Sequence, residues 1–436
     1  MLSTGTFPTW LKFSQVFPLF KKGKKTEMSN YRPVSLLTSF SKIFEKVIYN
    51  RILHTKENNI IVSDQYGFKS NSSTEVAIFK LTNQILSYNN NESSVCGIFC
   101  DLIKPFDTVN HDILISKLEH YGIIGRTNKL IKSYLSNRYQ RVTIKTSHAL
   151  NYASAWELVK HGVPQGSVLG LLLFLFYIND LPQLVKDIAL PVLFADNTSF
   201  LIANSDSGNK NKELKLVLDT TQKWFKSNML LLNCDKTTFM QFSSNTSCKS
   251  PVNPQSIGCK INFTNSTKFL GIMIESSLTW RKHIDYTNCK LHSLGYILRS
   301  LRPVLSLQII KQVYTSYVHS ILNCGIILWG NSSYCRTIFI TQKRIVRIIM
   351  KAKARDACWE MFSKLGILNL YSQYIFSTLM FVIRHQDIFT VNKELHKINT
   401  WHKLDLHVPL TNLRSKKECI IQVLHYLTPY LIVSRK

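Results

Sequence analysis

Two short apolar runs in this 436-residue chain each end on an aspartate: residues 97–100 lead into Asp101, and residues 193–195 lead into Asp196. The surrounding stretches, 96–102 and 190–195, are short, apolar and bounded by polar residues, which predicts buried strands. A carboxylate beside a core is unfavourable unless it is paired or holds a metal. The pattern therefore constrains the fold to a sheet that brings acids to its end, although either aspartate could simply cap a strand. After the second run, Asp196 and Asn197 precede the apolar stretch 198–203. Asp and Asn tolerate the positive φ of a two-residue turn, so a hairpin is predicted to turn at Asp196–Asn197. Hard oxygen ligands of this kind favour Mg²⁺, which keeps waters and completes its octahedron with substrate phosphates. Two such ions can activate an attacking oxygen and stabilise a leaving one.

The charge balance narrows the partner. There are 54 Lys and Arg against 26 Asp and Glu, a net +28, which points to nucleic acid or an anionic membrane surface. Residues 281–436 hold 23 basic and 7 acidic residues (+16), whereas residues 1–280 hold 31 and 19 (+12). The last third is thus more than twice as densely basic, as expected of a lobe that tracks a phosphate backbone. At 45% apolar and 18% charged the chain reads as globular, and its length predicts two or three lobes. None of the ten cysteines sits at a C-x-x-C spacing and no His completes a knuckle, so no zinc is expected and the thiols fit a reducing compartment. No basic-then-apolar signal segment opens the chain. The longest apolar run, 168–178, is about half a bilayer span and reads as core. A cytoplasmic or nuclear place, not a secreted one, is the expectation. Only residues 341–350 qualify as a membrane-surface helix, and template binding explains them better.

Local patterns fill in the order. Residues 41–53 predict a helix with Ile43, Phe44, Val47, Ile48 and Leu53 on its inner face. Asp112 is predicted to cap a helix through Tyr121, with Ile113, Leu114 and Leu118 inward. Lys21–Lys25 reads as a basic loop, and the Asn/Ser-rich stretches 204–212 and 243–256 read as surface loops. From about residue 293 long helical patterns dominate, including 308–321 and 341–350. The predicted class is α+β, mixed first and mostly α afterwards.

Several strings then carry a resemblance. They are Pro18-Leu-Phe-Lys-Lys-Gly23, Asn30-Tyr-Arg-Pro-Val-Ser-Leu-Leu37 and Asp64-Gln-Tyr-Gly-Phe-Lys69 with Ser73-Thr74. Next come Phe99-Cys-Asp-Leu-Ile-Lys-Pro-Phe-Asp-Thr-Val-Asn-His-Asp112 and Gly162-Val-Pro-Gln-Gly-Ser-Val-Leu-Gly170, then Tyr177-Ile-Asn-Asp-Leu181 and Phe194-Ala-Asp-Asn-Thr198. Leu232-Asn233 with Lys236-Thr237, Phe269-Leu-Gly271, Trp280, His283, Trp329-Gly330, Gln342-Lys343 and Arg347 follow. In this order they resemble the polymerase region of non-LTR, jockey-like retrotransposon reverse transcriptases over nearly the whole chain.

The resemblance implies a right-hand polymerase fold: fingers and a palm with an antiparallel sheet over residues 1–275, then a basic helical thumb and C-terminal region over 276–436. It implies an RNA-directed DNA polymerase working on an RNA template, a DNA primer and deoxynucleoside triphosphates with two Mg²⁺ ions. Asp101 and Asp196 would be catalytic metal ligands, helped by the carbonyl of Leu102. Phe106 would lie under the sugar and exclude a 2′-hydroxyl. Gln165 and Gly166 would meet the template–nucleotide pair, Arg32 and Lys69 the triphosphate, and Lys236 the leaving pyrophosphate. An ordinary solvated lysine fits position 236 equally well.

Departures from the family pattern matter as much. Asn197 stands where the second catalytic aspartate is usual, Lys69 replaces an Arg, and Pro105 replaces an Ala before Phe106. Ile103 replaces a small polar residue and Leu171 a proline. Upstream endonuclease, RNase H and terminal Cys/His knuckle segments are not found, so an internal piece of a longer polyprotein is expected. Two readings follow: a degenerate polymerase with weak or no activity, or an inactive nucleic-acid-binding remnant of the same fold.

Overall fold

The computed structural model describes residues 2–54, 60–69, 71–90, 94–145, 151–204, 207–242, 262–389 and 392. The elements run β1 (Phe13–Phe20), β2 (Tyr31–Leu36), α1 (Ser39–His54), α2 (Thr74–Asn90), β3 (Ser94–Cys100), α3 (His111–His120), α4 (Gly125–Leu135), β4 (Arg138–Lys145), β5 (Asn151–Ala153) and β6 (Glu157–Val159). They continue with α5 (Val168–Tyr177), α6 (Leu181–Val185), β7 (Leu190–Phe194), β8 (Asn197–Asn204), α7 (Ser207–Ser227), β9 (Thr238–Phe242) and β10 (Asn262–Phe263). The mostly helical remainder is β11 (Ser266–Phe269), β12 (Ile272–Glu275), α8 (Arg281–Leu301), α9 (Leu307–Val313), α10 (Ser320–Asn323), α11 (Ile326–Trp329), α12 (Cys335–Met350), α13 (Trp359–Leu365) and α14 (Leu370–Arg384). Two compact units result. One holds Met1–Leu81, Cys96–Phe239 and Lys249–Phe263; the other holds Thr82–Val95, Met240–Cys248 and Thr264–Lys436.

In the first unit two sheets form. One has the order β2-β1-β4-β5 with β6 also on β4, and the other the order β10-β9-β3-β8-β7. The β7–β8 pair is antiparallel, whereas β10 runs parallel to β9. The core is built round α5, whose residues from Leu169 to Tyr177 are buried apart from Leu171. The apolar stretch Val168–Val185 could cross a membrane by length and composition, yet 72% of it is buried inside the protein.

The helix α1 forms as predicted, but its inner face is turned. Ile48 and Ile52 are buried, and Ile43 is 59% exposed with Val47 also exposed. The side chain of Leu53 lies outside the described residues. The physical reason is a buried acid. Glu45 is fully buried, and its carboxylate accepts from the backbone N–H groups of Val168 (2.7 Å) and Leu169 (3.2 Å), Ser41 Oγ (3.1 Å) and Tyr134 Oη (3.2 Å). These N–H groups belong to the first turn of α5, where an anion is favoured. An apolar-face count cannot see such a residue.

Three smaller expectations also change. Asn110, not Asp112, caps α3, accepting from the N–H groups of Asp112 and Ile113 at 3.0 Å each. Of the predicted loop over 204–212, Asn204 ends β8 and residues 207–212 open α7, while 205 and 206 lie outside the described residues. The predicted helix over 308–321 contains a π-helical stretch, Tyr314–His319, between α9 and α10. The predicted loop at 243–256 lies outside the described residues.

In the second unit α8 packs along α12, whose Ile338, Ile345, Val346 and Ile349 recur at helical spacing and are buried. Gln342 ties three elements: its Nε2 donates to Tyr314 Oη (3.0 Å) and the Leu368 carbonyl (3.1 Å), and its Oε1 accepts from the Leu370 N–H (2.9 Å). His283, buried on α8, accepts at Nδ1 from the Met273 N–H (3.3 Å). Burial, followed by the charges of Lys290 and Lys268, pushes its pKa down to about 4. An unfolded His titrates near ~6.5. Above that pH both states are neutral and nothing is lost. As pH falls towards 4 only the unfolded chain gains the proton, so stability drops by about 3 kcal/mol at ~1.36 kcal/mol per unit. Urea unfolding followed at several pH values should show a shallower acid loss in His283→Gln; parallel curves would refute the assignment.

Candidate active site

Asp101 follows the last residue of β3, and β3 lies next to β8 in the sheet, so both predicted acids come to one sheet end. The backbone at Asp101 is held on its other side by residues 231–233. Ile103 N–H donates to the Leu231 carbonyl (2.9 Å) and Asn233 N–H to the Asp101 carbonyl (2.8 Å), with Leu102 opposite Leu232. In that antiparallel pairing Leu102 is the non-hydrogen-bonded member, so the pairing does not consume its carbonyl. The Asp101 carboxylate is 39% exposed and lies 3.3 Å from Lys236 Nζ. Asn233 Nδ2 also donates to it (3.4 Å).

The hairpin turns one residue earlier than expected. Phe194 pairs with Asn197, so Ala195 and Asp196 make the turn and Asn197 opens β8. The positive φ (52°) falls on Ala195, which gains nothing from an Asx side chain. Gln65 explains how it is held there. Its buried Oε1 accepts from the N–H groups of Ala195 (3.0 Å) and Gly67 (2.8 Å). Gly67 must be glycine, because a Cβ there would stand 2.5 Å from the Ala195 nitrogen.

The pKa of Asp196 is raised, first by burial and then by the charge of Asp101, while a backbone hydrogen bond and the charges of Arg32 and Lys21 oppose the rise. Asn197 Nδ2 donates to Asp196 Oδ1 (3.4 Å), so the amide turns its donor towards the carboxylate. Arg32 is exposed on β2 opposite Leu19. Lys69 instead donates to the Val62 carbonyl (3.3 Å).

The remaining predicted residues lie on two loops, before α3 and before α5, which the Val163 N–H joins by donating to the Phe106 carbonyl (2.8 Å). Gly166 has φ 113°, and a Cβ there would stand 2.8 Å from the Ser35 carbonyl. The Ser35 N–H donates to the Gln165 carbonyl (2.7 Å), which fastens this loop to β2. Gln165 Nε2 donates to Asp107 Oδ1 (3.1 Å), and burial raises the Asp107 pKa against that bond and Lys104. Phe106 stacks at a tilt on Phe174, 4.6 Å between centroids. Pro105 occupies a turn closed by Asp107 N–H on the Lys104 carbonyl (2.9 Å), a place that suits a fixed φ near −65°. Asp180 does not reach the site: it pairs with Lys117 (2.7 Å) and accepts from Trp224 Nε1 (3.1 Å). Gln65, Asn233 and Asp107 were not foreseen in these roles, because a single sequence shows which residues occur and not which backbone groups they reach.

Two carboxylates thus come together from neighbouring strands: burial raises the Asp196 pKa, and the Lys236 ammonium rests on Asp101. Among the described residues no group of three or more His, Cys, Asp or Glu comes together to hold a metal.

Residues 21–274 match the family described as reverse transcriptase (RNA-dependent DNA polymerase). The chain belongs to the reverse transcriptase family. Within it the chain is of the non-LTR retrotransposon type. It is 30% identical over 79% of its length to a probable RNA-directed DNA polymerase from transposon BS of Drosophila melanogaster. It is 28% identical over 81% to the RNA-directed DNA polymerase from mobile element jockey of the same fly. This reverse transcriptase chain spans about 39% of the length of each. Among solved structures, a Candida albicans telomerase in complex with a telomeric RNA fragment aligns at a TM-score of 0.43 and 12% identity, covering 83% of this chain and 66% of that one. Reverse transcriptases generally use divalent metal ions.

Proposed function

We propose that the chain is the polymerase portion of a non-LTR retrotransposon protein, an RNA-directed DNA polymerase by descent whose ion-binding centre has lost one charge. The observation that carries this is the meeting of Asp101 and Asp196 at adjacent strand ends, with Asn197 beside them as an amide. The substrates are an RNA template, a DNA primer and deoxynucleoside triphosphates, met in the cytoplasm or nucleus. Asp101, Asp196 and the Leu102 carbonyl would hold Mg²⁺, and the ion would supply charge stabilisation to the transferring phosphoryl group. Arg32 and Lys21 neutralise the triphosphate, Lys236 gives up Asp101 and turns to the pyrophosphate, and Gly166 lets the nucleotide pair approach the backbone. Residues up to 275 act as fingers and palm, and the basic region after them grips the duplex.

A second reading, an inactive nucleic-acid-binding remnant, is favoured by the Asn197 amide, which donates to a carboxylate that should be facing metal. Primer extension on an RNA template, with metal omitted as control, separates the two. Phe106 supplies a further test. Its ring is fixed against Phe174, so it forms a rigid floor where a 2′-hydroxyl would press. In whatever extension is measurable, Phe106→Ala should raise ribonucleotide over deoxyribonucleotide incorporation by about tenfold or more, the value of ~1.4 kcal/mol of steric discrimination. An unchanged ratio would remove Phe106 from this role.

A further inference from the structure

We infer that the open face of the β2-β1-β4 sheet is a stacking platform for unpaired nucleotides of a nucleic-acid strand, a site separate from the carboxylate end and resting on the polymerase reading above. The register builds it. Phe13 lies opposite Tyr139 and Gln15 opposite Arg141 on the parallel pair β1–β4, so these four side chains share one face. Tyr139 lies opposite Leu158 on β6, and Trp156 precedes that strand. Phe13 and Tyr139 stack with centroids 5.4 Å apart at 14°, and Trp156 meets the Phe13 edge at 5.1 Å and 86°. The Arg141 guanidinium lies over the Trp156 ring, 4.7 Å from its centroid. Phe13 and Trp156 nevertheless remain 38% and 40% exposed.

Two observations select the occupant. First, Arg141 Nε is buried without a hydrogen-bond partner, and among the described residues no carboxylate pairs with Arg141. A guanidinium on a ring, its charge uncompensated by any carboxylate, fits a phosphodiester between stacked bases. Second, the face is continuous with the carboxylate site. The same alternation along β1 passes Phe17 and Leu19, and Leu19 lies opposite Arg32, whose charge is felt at Asp196. From Leu19 back to Phe13 is about 20 Å at roughly 3.3 Å per residue, a gap that a few unpaired nucleotides bridge. In a chain of net +28 this chemistry favours a polyanion over an apolar protein surface.

The test is equilibrium binding of the full chain to a labelled single-stranded oligouridylate and to a blunt RNA–DNA duplex. Each ring removed, Phe13→Ala or Trp156→Ala, should weaken single-strand binding about tenfold, within the ~1–3 kcal/mol that one stacked base contributes. Duplex binding should stay within about twofold, because phosphate contacts elsewhere supply it. Trp156→Phe should retain single-strand affinity. It should also lose the part of the tryptophan quenching that the wild type shows when the oligouridylate is added. The platform is overturned if the Phe13→Ala, Trp156→Ala double variant, with unchanged thermal unfolding, binds the single strand as the wild type does. It is equally overturned if these substitutions abolish self-association and leave nucleic-acid binding untouched. If the wild type binds neither strand nor duplex, the polymerase reading falls as well. That result differs from binding which merely ignores the substitutions.

Discussion

Asn197→Asp should raise primer extension on an RNA template by at least about tenfold over a wild type near background. Removing one preorganised electrostatic contact typically costs ~10²–10³ in rate, and restoring it should recover part of that. The geometry sharpens the expectation. Asn197 is the first residue of β8, paired with Phe194 in the ladder, so its backbone is already fixed and the near-isosteric change should leave the hairpin intact. What changes is the side chain: the amide that now donates to Asp196 Oδ1 becomes a carboxylate beside a group whose proton is already held more tightly by burial and Asp101. The variant should therefore be less stable than wild type without divalent ions and gain more thermal stability when Mg²⁺ is added, a readout independent of turnover. Adding Asp101→Asn should abolish both gains. Robust wild-type synthesis would show that two aspartates suffice. A folded variant that neither extends primers nor responds to Mg²⁺ would place the defect elsewhere.

Glu45→Ala should be the most destabilising single change in the first unit. Four donors converge on that fully buried carboxylate, two of them from the first turn of α5. Alanine leaves them all without the acceptor and opens a void between α1 and α5. Leaving buried polar partners unpaired in this way typically costs about 3–5 kcal/mol. That is a large part of the ~5–15 kcal/mol a folded domain has. Glu45→Gln keeps the volume and one acceptor oxygen, and should lose roughly half as much on the same scale. Denaturant unfolding of the three proteins measures the order; an alanine variant within about 1 kcal/mol of wild type would contradict the capping role.

The parts of this molecule that were legible in its sequence are those governed by short-range pattern. Runs of apolar residues gave β3, β7 and the buried stretch that α5 fills, and they placed Asp101 and Asp196 just beyond the two strands. The sequence motifs gave the family. What escaped was decided by contacts between distant segments. The hairpin turn moved to Ala195 because Gln65, 130 residues away, accepts its N–H. Turn propensity alone favoured Asp196 and Asn197. The face of α1 was misplaced because a glutamate is the last residue that periodicity would put inside, and only the N-terminus of α5 makes that burial favourable. Asp107 likewise shows its tie to Gln165 only after the loop at Gly166 has been fastened to β2.

The same Gln65 segment has a consequence for how the sheet meets other chains. A sheet's outermost strand exposes a row of unpaired main-chain groups, a ready template for a foreign strand. Here β7 is last in its sheet, but residues 64–66 lie along it. Leu193 N–H donates to the Asp64 carbonyl (2.9 Å), and Tyr66 N–H donates to the Leu193 carbonyl (2.8 Å). At the opposite margin stands β10, only two residues long. Among the described residues neither margin of this sheet offers a long open ladder, so intermolecular β-pairing there is disfavoured as long as residues 64–66 stay docked. A swing of that segment would bare β7 beside Asp196, linking any movement of residues 64–66 to a passing risk of strand-to-strand aggregation.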